Sequence, residues 1–456
     1  MVNLEINQKL KVKIKRIGIN GEGITRYKGR LIFIENALPK EEVIIKISSN
    51  ERNFSTGQLV KINKASTSRV TPPCPVYQSC GGCQLMHLDY PAQLAFKVDL
   101  IKQALEKFKP TDFKDYKILP TIGQEEPWHY RNKLQFQIRR NHKNGKVEAG
   151  LFAINSHHLV KISDCCVQMP KTQRIINTCV KLFETLKITP YNEKKNDGFI
   201  KTVMVRESFT TKEVQLILVT TSKNFPKWPE FKRQLIKKHP EIVTIEQNIQ
   251  SKQTSKIYGT HQLHLYGQSN ITESILDKSF TISPLSFLQL NYLQMNKLYH
   301  EAIKAMDLKS DDKIIDAYCG AGKIGLSLAE KVSEVRGMDT MAPAIKDAKN
   351  NAKALGLDNA IYEVGSAEQV IPRWIKEGFS ATGLIVDPPR SGIDAKLLDV
   401  IIKNPTEKFV YISCNMSTLA RDLVALTQVY RVSFIQPVDM FPHTARGEAI
   451  VLLRRC

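Results

Sequence analysis

From residue 271 onward, apolar runs of strand length recur between amphipathic stretches: Lys313-Ile-Ile-Asp-Ala317, Glu334-Val-Arg-Gly-Met338, Leu384-Ile-Val386, Phe409-Val-Tyr-Ile412 and Ala449-Ile-Val-Leu-Leu453. Strands that alternate with helix-period segments such as Ala342 to Leu355 build βαβ units, which predict a doubly wound domain around a mostly parallel sheet. In such sheets ligands bind outside the carboxyl ends of the strands. Two residues with chemistry to offer follow strands there: Asp387 of Val386-Asp387-Pro388-Pro389-Arg390 and Cys414 of Ile412-Ser413-Cys414-Asn415. A carboxylate and a thiol are thereby directed to one sheet edge. Cys414 is a candidate nucleophile; taken alone, a cysteine after a strand is more often a small packing residue.

The first strand of this region runs into Asp316-Ala-Tyr318-Cys319-Gly320-Ala-Gly322-Lys-Ile-Gly325, and Asp339 closes the next strand. Gly320 and Gly322 let backbone pass close to a ligand, and an acid at the second strand tip takes both hydroxyls of a ribose. The loop does not spell the dinucleotide Gly-x-Gly-x-x-Gly. Its Asp-x-Tyr-Cys-Gly-x-Gly opening resembles the form used by S-adenosylmethionine methyltransferases, which implies a methyl donor rather than a nicotinamide. Cys319 reads as a small residue in a tight turn.

The 456 residues carry a formal net charge of +21, which points to a polyanionic partner. Nucleic acid fits better than membrane, because no stretch approaches the roughly 20 apolar residues of a spanning helix and the charged N-terminus lacks a signal-peptide core. Nine cysteines without such a signal fit a reducing, cytoplasmic setting.

Three segments follow. Residues 1–66 alternate apolar and polar positions, with turns at Asn20-Gly21-Glu22-Gly23 and Lys28-Gly29, and predict a small closed antiparallel barrel. Through Gly21-Glu22-Gly23-Ile24, Phe33 to Glu41 and Ser68-Arg69-Val70 this segment resembles a TRAM domain, an OB-like RNA-binding module; a barrel with a protein partner is the alternative. Residues 67–270 read as a mixed α+β central region in which Trp128-His129-Tyr130-Arg131-Asn132-Lys133 offers rings for unpaired bases and cations for phosphates. Residues 271–456 form the α/β domain.

The central region opens with Cys74-Pro-Val-Tyr-Gln-Ser-Cys80-Gly-Gly-Cys83, and a pair follows at Cys165-Cys166. Three thiols plus one make a four-thiolate site, and the spacing suits iron–sulfur or zinc. Cys179 and Cys456 read as incidental.

Six elements in order give the chain a resemblance to the RNA uridine-5-methyltransferase family: Ser283-Pro284 to Asn291, the Asp316–Gly322 loop, Asp339, Asp387-Pro388-Pro389-Arg390-Ser-Gly392, Ser413-Cys414-Asn415, and Phe441-Pro442-His443-Thr444 with Glu448. The resemblance implies a Rossmann-like class I methyltransferase domain behind the TRAM barrel, and methylation of uracil C5 through a covalent Cys414–C6 adduct. Uracil C5 is a weak nucleophile until a thiolate adds at C6, and the C5 proton then needs a base, the role the family gives Glu448. Gln289, Tyr318, Gly320, Gly322, Asp339 and Asp387 would bind S-adenosylmethionine, Gln289 alternatively reading the uracil edge. The target base must leave its stack.

Resemblance to the ribosomal branch implies a structural [4Fe-4S] cluster on Cys74, Cys80, Cys83 and Cys165, with Cys166 as the alternative fourth ligand. It also implies large-subunit (23S) ribosomal RNA as substrate and no obligate protein partner; tRNA methylation is the alternative substrate reading. The chain departs from the family at Thr444-Ala-Arg446-Gly447-Glu448, where Thr-x-His-Val-Glu is common, and at Asp339, where glutamate is usual. A radical methylthiotransferase would space its cysteines by three and two, and a cytosine-5 enzyme would place a second cysteine by Asp387. A catalytically silent RNA-binding factor would not need the intact thiol, acid and cofactor loop.

Overall fold

The computed structural model describes residues 4–154 and 156–456, so residues 1–3 of the first predicted segment lie outside it. A six-stranded sheet covers Lys9–Lys64. Its strands alternate as expected: Lys9–Lys13 buries Leu10 and Val12 and exposes its three lysines. Not every pair is antiparallel, because Arg30–Ile34 runs parallel to Phe54–Lys64. Arg69 fastens the following linker to this sheet through its Nε to Glu41 Oε1 at 2.6 Å.

A second sheet, of seven strands, is ordered His261–Gly267, Ile242–Ile249, Val214–Thr220, Ile200–Glu207, Lys133–Arg140, Val147–Phe152, Leu159–Lys161. One face, with Leu134, Phe136, Ile138, Val203 and Leu216, joins the same apolar cluster as Phe183 and Phe231 of the helices Pro170–Thr185 and Trp228–Lys238. A hairpin, Ile271–Ile275 with Lys278–Ile282, leads into the last domain.

That domain has seven strands in the order Ala360–Val364, Glu334–Asp339, Lys313–Ala317, Gly383–Val386, Lys408–Ser413, Glu448–Arg455, Tyr430–Val438. The first five are parallel and the last two antiparallel. Gly383–Val386 and Lys408–Ser413 are buried throughout, as strands covered on both faces must be. Alternate residues feed separate cores: Val386, Phe409 and Tyr411 join one, Ile385, Val410 and Ile412 the other. This is the α/β, Rossmann-like arrangement expected. The helix Tyr90–Phe108, early in the chain, packs on Met416–Leu426 and joins the first of these cores. Among the described residues no helix is long and apolar enough to cross a membrane.

Candidate active site

Parallel register aligns the strand ends that carry the site. Ala317 pairs with Met338 and Val386, and Val386 with Tyr411, so the residues that follow, Tyr318, Asp339, Asp387 and Cys414, emerge at one edge. The last strand arrives antiparallel, and its pairing of Ala449 with Ser413 sets Glu448 beside Cys414. Five of the predicted residues are therefore brought together by strand order and register.

The loop after Lys313–Ala317 is built from left-handed backbone: φ is +62° at Tyr318, +55° at Gly320 and +73° at Gly322. A non-glycine in that region is uncommon and marks a conformation imposed by its surroundings. A Cβ on Gly322 would meet the Tyr362 ring at 2.9 Å, so both φ and space require glycine. Asp339 closes the loop by accepting the Gly320 N–H at 3.0 Å and the Met341 N–H at 2.8 Å. Asp316, buried, accepts the Gly325 N–H at 2.9 Å. Burial, with Asp387 and Asp339 adding to it, lifts its carboxyl to about 7 against that hydrogen bond.

Gln289 is buried on the segment before the sheet. Asn132 holds that segment, donating from Nδ2 to the Gln289 carbonyl at 3.1 Å and from its N–H to the Leu290 carbonyl at 2.9 Å. The fully buried Arg206 donates to the Ser286 carbonyl at 2.8 Å, and Ser283 and Ser286 donate their hydroxyls to Asp347. The central sheet thus places Gln289 at the edge of the α/β domain.

Asp387 is driven up to about 6 by burial, with the Lys323 ammonium opposing. Lys323 was not singled out in the sequence, although it stands inside the glycine loop. It is buried, donates to the Phe287 carbonyl at 3.0 Å, and its charge is disfavoured by burial while Asp387, Cys319 and Asp316 favour it. Burial pushes the Cys414 thiol up to about 11, the Glu448 and Asp387 carboxylates add to this, and Arg390 opposes. Glu448 is buried, and its Oε2 has no hydrogen-bond partner among the described residues. Burial, reinforced by Asp387 and opposed by Arg390, raises its carboxyl well above the ordinary range. A carboxyl beside a thiol is a pairing able to serve addition and proton removal at adjacent carbons.

The turn carrying Glu448 is clamped from outside its domain. Lys97, buried, donates to the Thr444 carbonyl at 2.5 Å and to the Arg446 carbonyl, and its ammonium lies 3.3 Å from Asp439. Gln84 and Leu85 donate their N–H groups to the His443 carbonyl at 3.1 and 2.9 Å. Trp128 stacks on His443 with centroids 3.8 Å apart, and the buried Tyr130 donates its hydroxyl to the Pro442 carbonyl at 2.9 Å. Tyr130, buried, is thereby spent on packing, which corrects the expectation that its ring faces RNA bases; Trp128 is half-buried with one face on His443.

Cys74, Cys80, Cys83, Cys165 and Cys166 line one cavity of about 30 Å³ beside Tyr77, Met86 and Arg131, larger than the ~10–15 Å³ that a water needs. Gly82 approaches closely, donating its N–H to Cys80 Sγ at 3.4 Å. Among the described residues no group of three or more His, Cys, Asp or Glu is placed to hold a single metal ion. Cys319 and Cys179 are buried and Cys456 is exposed.

A model of the tRNA (uracil-5-)-methyltransferase family matches residues 89–456, and a TRAM-domain model matches residues 4–60. A protein of Enterococcus faecalis described as an uncharacterized RNA methyltransferase is 52% identical over 448 residues, covering 98% of each chain. One of Streptococcus agalactiae with the same description is 53% identical over 454 residues, covering 100% of both chains. Among solved structures, a Pyrococcus abyssi tRNA (uracil-54, C5)-methyltransferase in complex with S-adenosyl-L-homocysteine resembles this fold with a TM-score of 0.77 and 26% identity, over 97% of this chain and 100% of that one. Matched along most of its length by that family's model, preceded by a TRAM domain, and akin end to end to RNA methyltransferases, the chain belongs to the tRNA (uracil-5-)-methyltransferase family and is an RNA methyltransferase.

Proposed function

We propose that the protein methylates C5 of uridine in 23S ribosomal RNA, at one or two sites, in the cytoplasm, with Cys414 as nucleophile and Glu448 as base. The observation that carries this reading is the register that sets a thiol beside a buried carboxyl with a free oxygen. S-adenosylmethionine, when bound, supplies the methyl group as an electrophile. Tyr318, Gly320 and Gly322 offer the loop for it, Asp339 the acid for its ribose, Asp387 a carboxyl on the side of the thiol, and Gln289 a further buried polar group.

Cys414 Sγ adds to uracil C6, the C5–C6 π pair moves into an enolate over C5, C4 and O4, and C5 takes the methyl group as the donor's sulfur leaves with the bonding pair. Glu448 then accepts the C5 proton, the C5–C6 double bond reforms, and the thiolate departs. The raised basicity of Glu448 suits a proton taken from carbon.

The reading of a [4Fe-4S] cluster is supported by five cysteines that line one cavity, since such clusters are held by four cysteine thiolates. Cys74, Cys80, Cys83 and Cys165 would hold it; Cys165 packs against the same apolar cluster as Cys74 and Cys83, whereas Cys166 does not. It would shape the fold, with no part in methyl transfer.

A second substrate reading, tRNA, rests on the Pyrococcus likeness, which spans 97% of this chain and so includes the front half. Mapping 5-methyluridine in 23S rRNA and in tRNA from cells with and without the gene decides between them. Loss of the mark from 23S rRNA alone supports the proposal, and loss from tRNA alone refutes it. Cys414→Ala is expected to abolish methylation while keeping RNA affinity.

A further inference from the structure

One face of the six-stranded sheet is a grid of like charges. Strand Lys9–Lys13 turns Lys9, Lys11 and Lys13 outward, because Leu10 and Val12 between them are buried. Lys9 lies opposite Lys46, Lys11 opposite Ile44 and Lys13 opposite Glu42 of the strand Glu42–Asn50. That strand in turn sets Lys46 opposite Gln58, Ile44 opposite Lys61 and Glu42 opposite Lys64 of Phe54–Lys64. Lys9, Lys11, Lys13, Lys46, Lys61 and Lys64 thus share one face with a single acid, Glu42. Lys46 is half-buried and the other five lysines are exposed.

This face works against its own repulsion. Directly opposite side chains stand about 5 Å apart, where like charges weaken a strand pair, and Lys9 faces Lys46 in that way. Lys11 comes within 3.8 Å of Glu42, but both side chains are exposed and such a pair contributes little in water. The other five lysines have neither an ion partner nor a side-chain hydrogen bond among the described residues. No ring stands among the paired positions, whose uncharged members are Ile44 and Gln58, so the face offers cations without a stacking platform for bases. Three strands by five residues span about 10 by 13 Å, room for a short run of phosphates.

The far end of the same strand order is fastened at the candidate active site. Ile17, on the last strand of that order, joins the first core of the α/β domain and its carbonyl accepts from Gln103 Nε2 at 2.9 Å. A Cβ on Gly21 would stand 3.4 Å from the Ala445 Cβ, on the turn before Glu448. We propose that the lysine face is a track for the sugar–phosphate backbone of the RNA substrate, held at a fixed offset from the active-site turn and indifferent to base sequence. The inference deepens the reading of RNA as substrate and rests on it, but not on which RNA is methylated. Phosphate contacts set the register of a nucleic acid on its protein and carry no sequence information themselves.

Fluorescence anisotropy with labelled transcripts of 23S rRNA domains and of tRNA, repeated over a range of salt concentrations, tests this. Lys9→Gln/Lys11→Gln/Lys13→Gln is expected to lower the slope of log affinity against log salt by about two to three, on both RNAs alike. A slope change of two amounts to about a hundredfold in affinity between 1 M and 0.1 M salt. Lys223→Gln/Lys237→Gln/Lys238→Gln removes the same charge from exposed positions of the central region and should lower the slope by less than about one. An equal loss in this control overturns the proposal, since binding would then follow net charge instead of this face. Unchanged RNA binding in the first variant, with binding to phosphatidylserine vesicles lost, also overturns it and gives the face to an anionic membrane surface. The first variant should unfold at no lower urea than wild type, and a clearly lower midpoint contradicts the repulsion from which the inference starts. If only tRNA proves to be methylated, the 23S reading fails while the slope contrast still decides the role of the face.

Discussion

Lys97→Met removes the charge of a fully buried lysine and keeps most of its stem, so its cost can be worked from what the ammonium touches. One partner is Asp439, at 3.3 Å and itself buried, and two more are the carbonyls of Thr444 and Arg446. Breaking a buried ion pair from one side costs about 3–5 kcal/mol, because the remaining charge has no water to return to. Each buried carbonyl left without a donor costs about 1–3 kcal/mol, and these losses overlap because one side chain serves all three groups. A total near the upper end of ~3–5 kcal/mol is expected. In Lys97→Met/Asp439→Asn the stranded charge is gone and only the lost hydrogen bonds remain, so the double variant should recover roughly half. Urea denaturation followed by methylation of 23S rRNA gives both readouts: the single variant unfolds at clearly lower urea and loses most of its rate, and the double is the more stable of the two. A single variant with the wild-type midpoint, or a double variant no more stable than the single, refutes the clamp.

Glu448→Gln keeps the shape of the base and removes its proton affinity, so a protein–RNA adduct should accumulate with S-adenosylmethionine and migrate as a slow band on a denaturing gel; its persistence in Cys414→Ala/Glu448→Gln would contradict the mechanism. Gly322→Ala sets a Cβ against Tyr362 in left-handed backbone, a cost of about 1–2 kcal/mol before any clash. Calorimetric affinity for S-adenosylhomocysteine should fall about 5–30-fold, and an unchanged affinity would mean the loop does not face the donor. Anaerobically purified Cys165→Ser should lose iron and acid-labile sulfide while Cys166→Ser retains both; stoichiometric zinc in the wild type would replace the cluster with a different site.

What could be read from the sequence depended on whether a single segment carried the signal. Lys313–Ala317 and Lys133–Arg140 stand almost where their apolar pattern put them, because a strand covered on both faces, or alternating across one, writes its burial into its own residues. Tyr430–Val438 went unnoticed: its burial mixes exposed and buried positions around a register shift and a proline, Pro437, at the sheet edge. Tyr130 reads as an RNA contact in the sequence because a basic, aromatic hexapeptide looks the same whether a ring faces a base or is buried against Pro442. Lys323 is not legible in the sequence because its surroundings depend on two acids, Asp316 and Asp387, that only the sheet brings around it. Cys414 and Glu448 were legible individually, but their adjacency rests on an antiparallel final strand that the recurring βαβ pattern did not foretell.

The clamp on the turn before Glu448 also sets an order of assembly. Lys97 donates to the Thr444 carbonyl, and Gln93 Oε1 and Gln84 Oε1 accept from the His443 and Ala445 N–H groups, joining residues 347, 350 and 361 positions apart, among the longest separations bridged within the described residues. Contacts of that span carry the largest loop-closure entropy and form after the local βαβ units have condensed. The geometry of the turn before Glu448 thus depends on residues from the far end of the chain, as does the first core, to which the helix Tyr90–Phe108 contributes. Residues 271–456 produced alone would lack both the clamp on the turn before Glu448 and the Tyr90–Phe108 side chains that complete the first core.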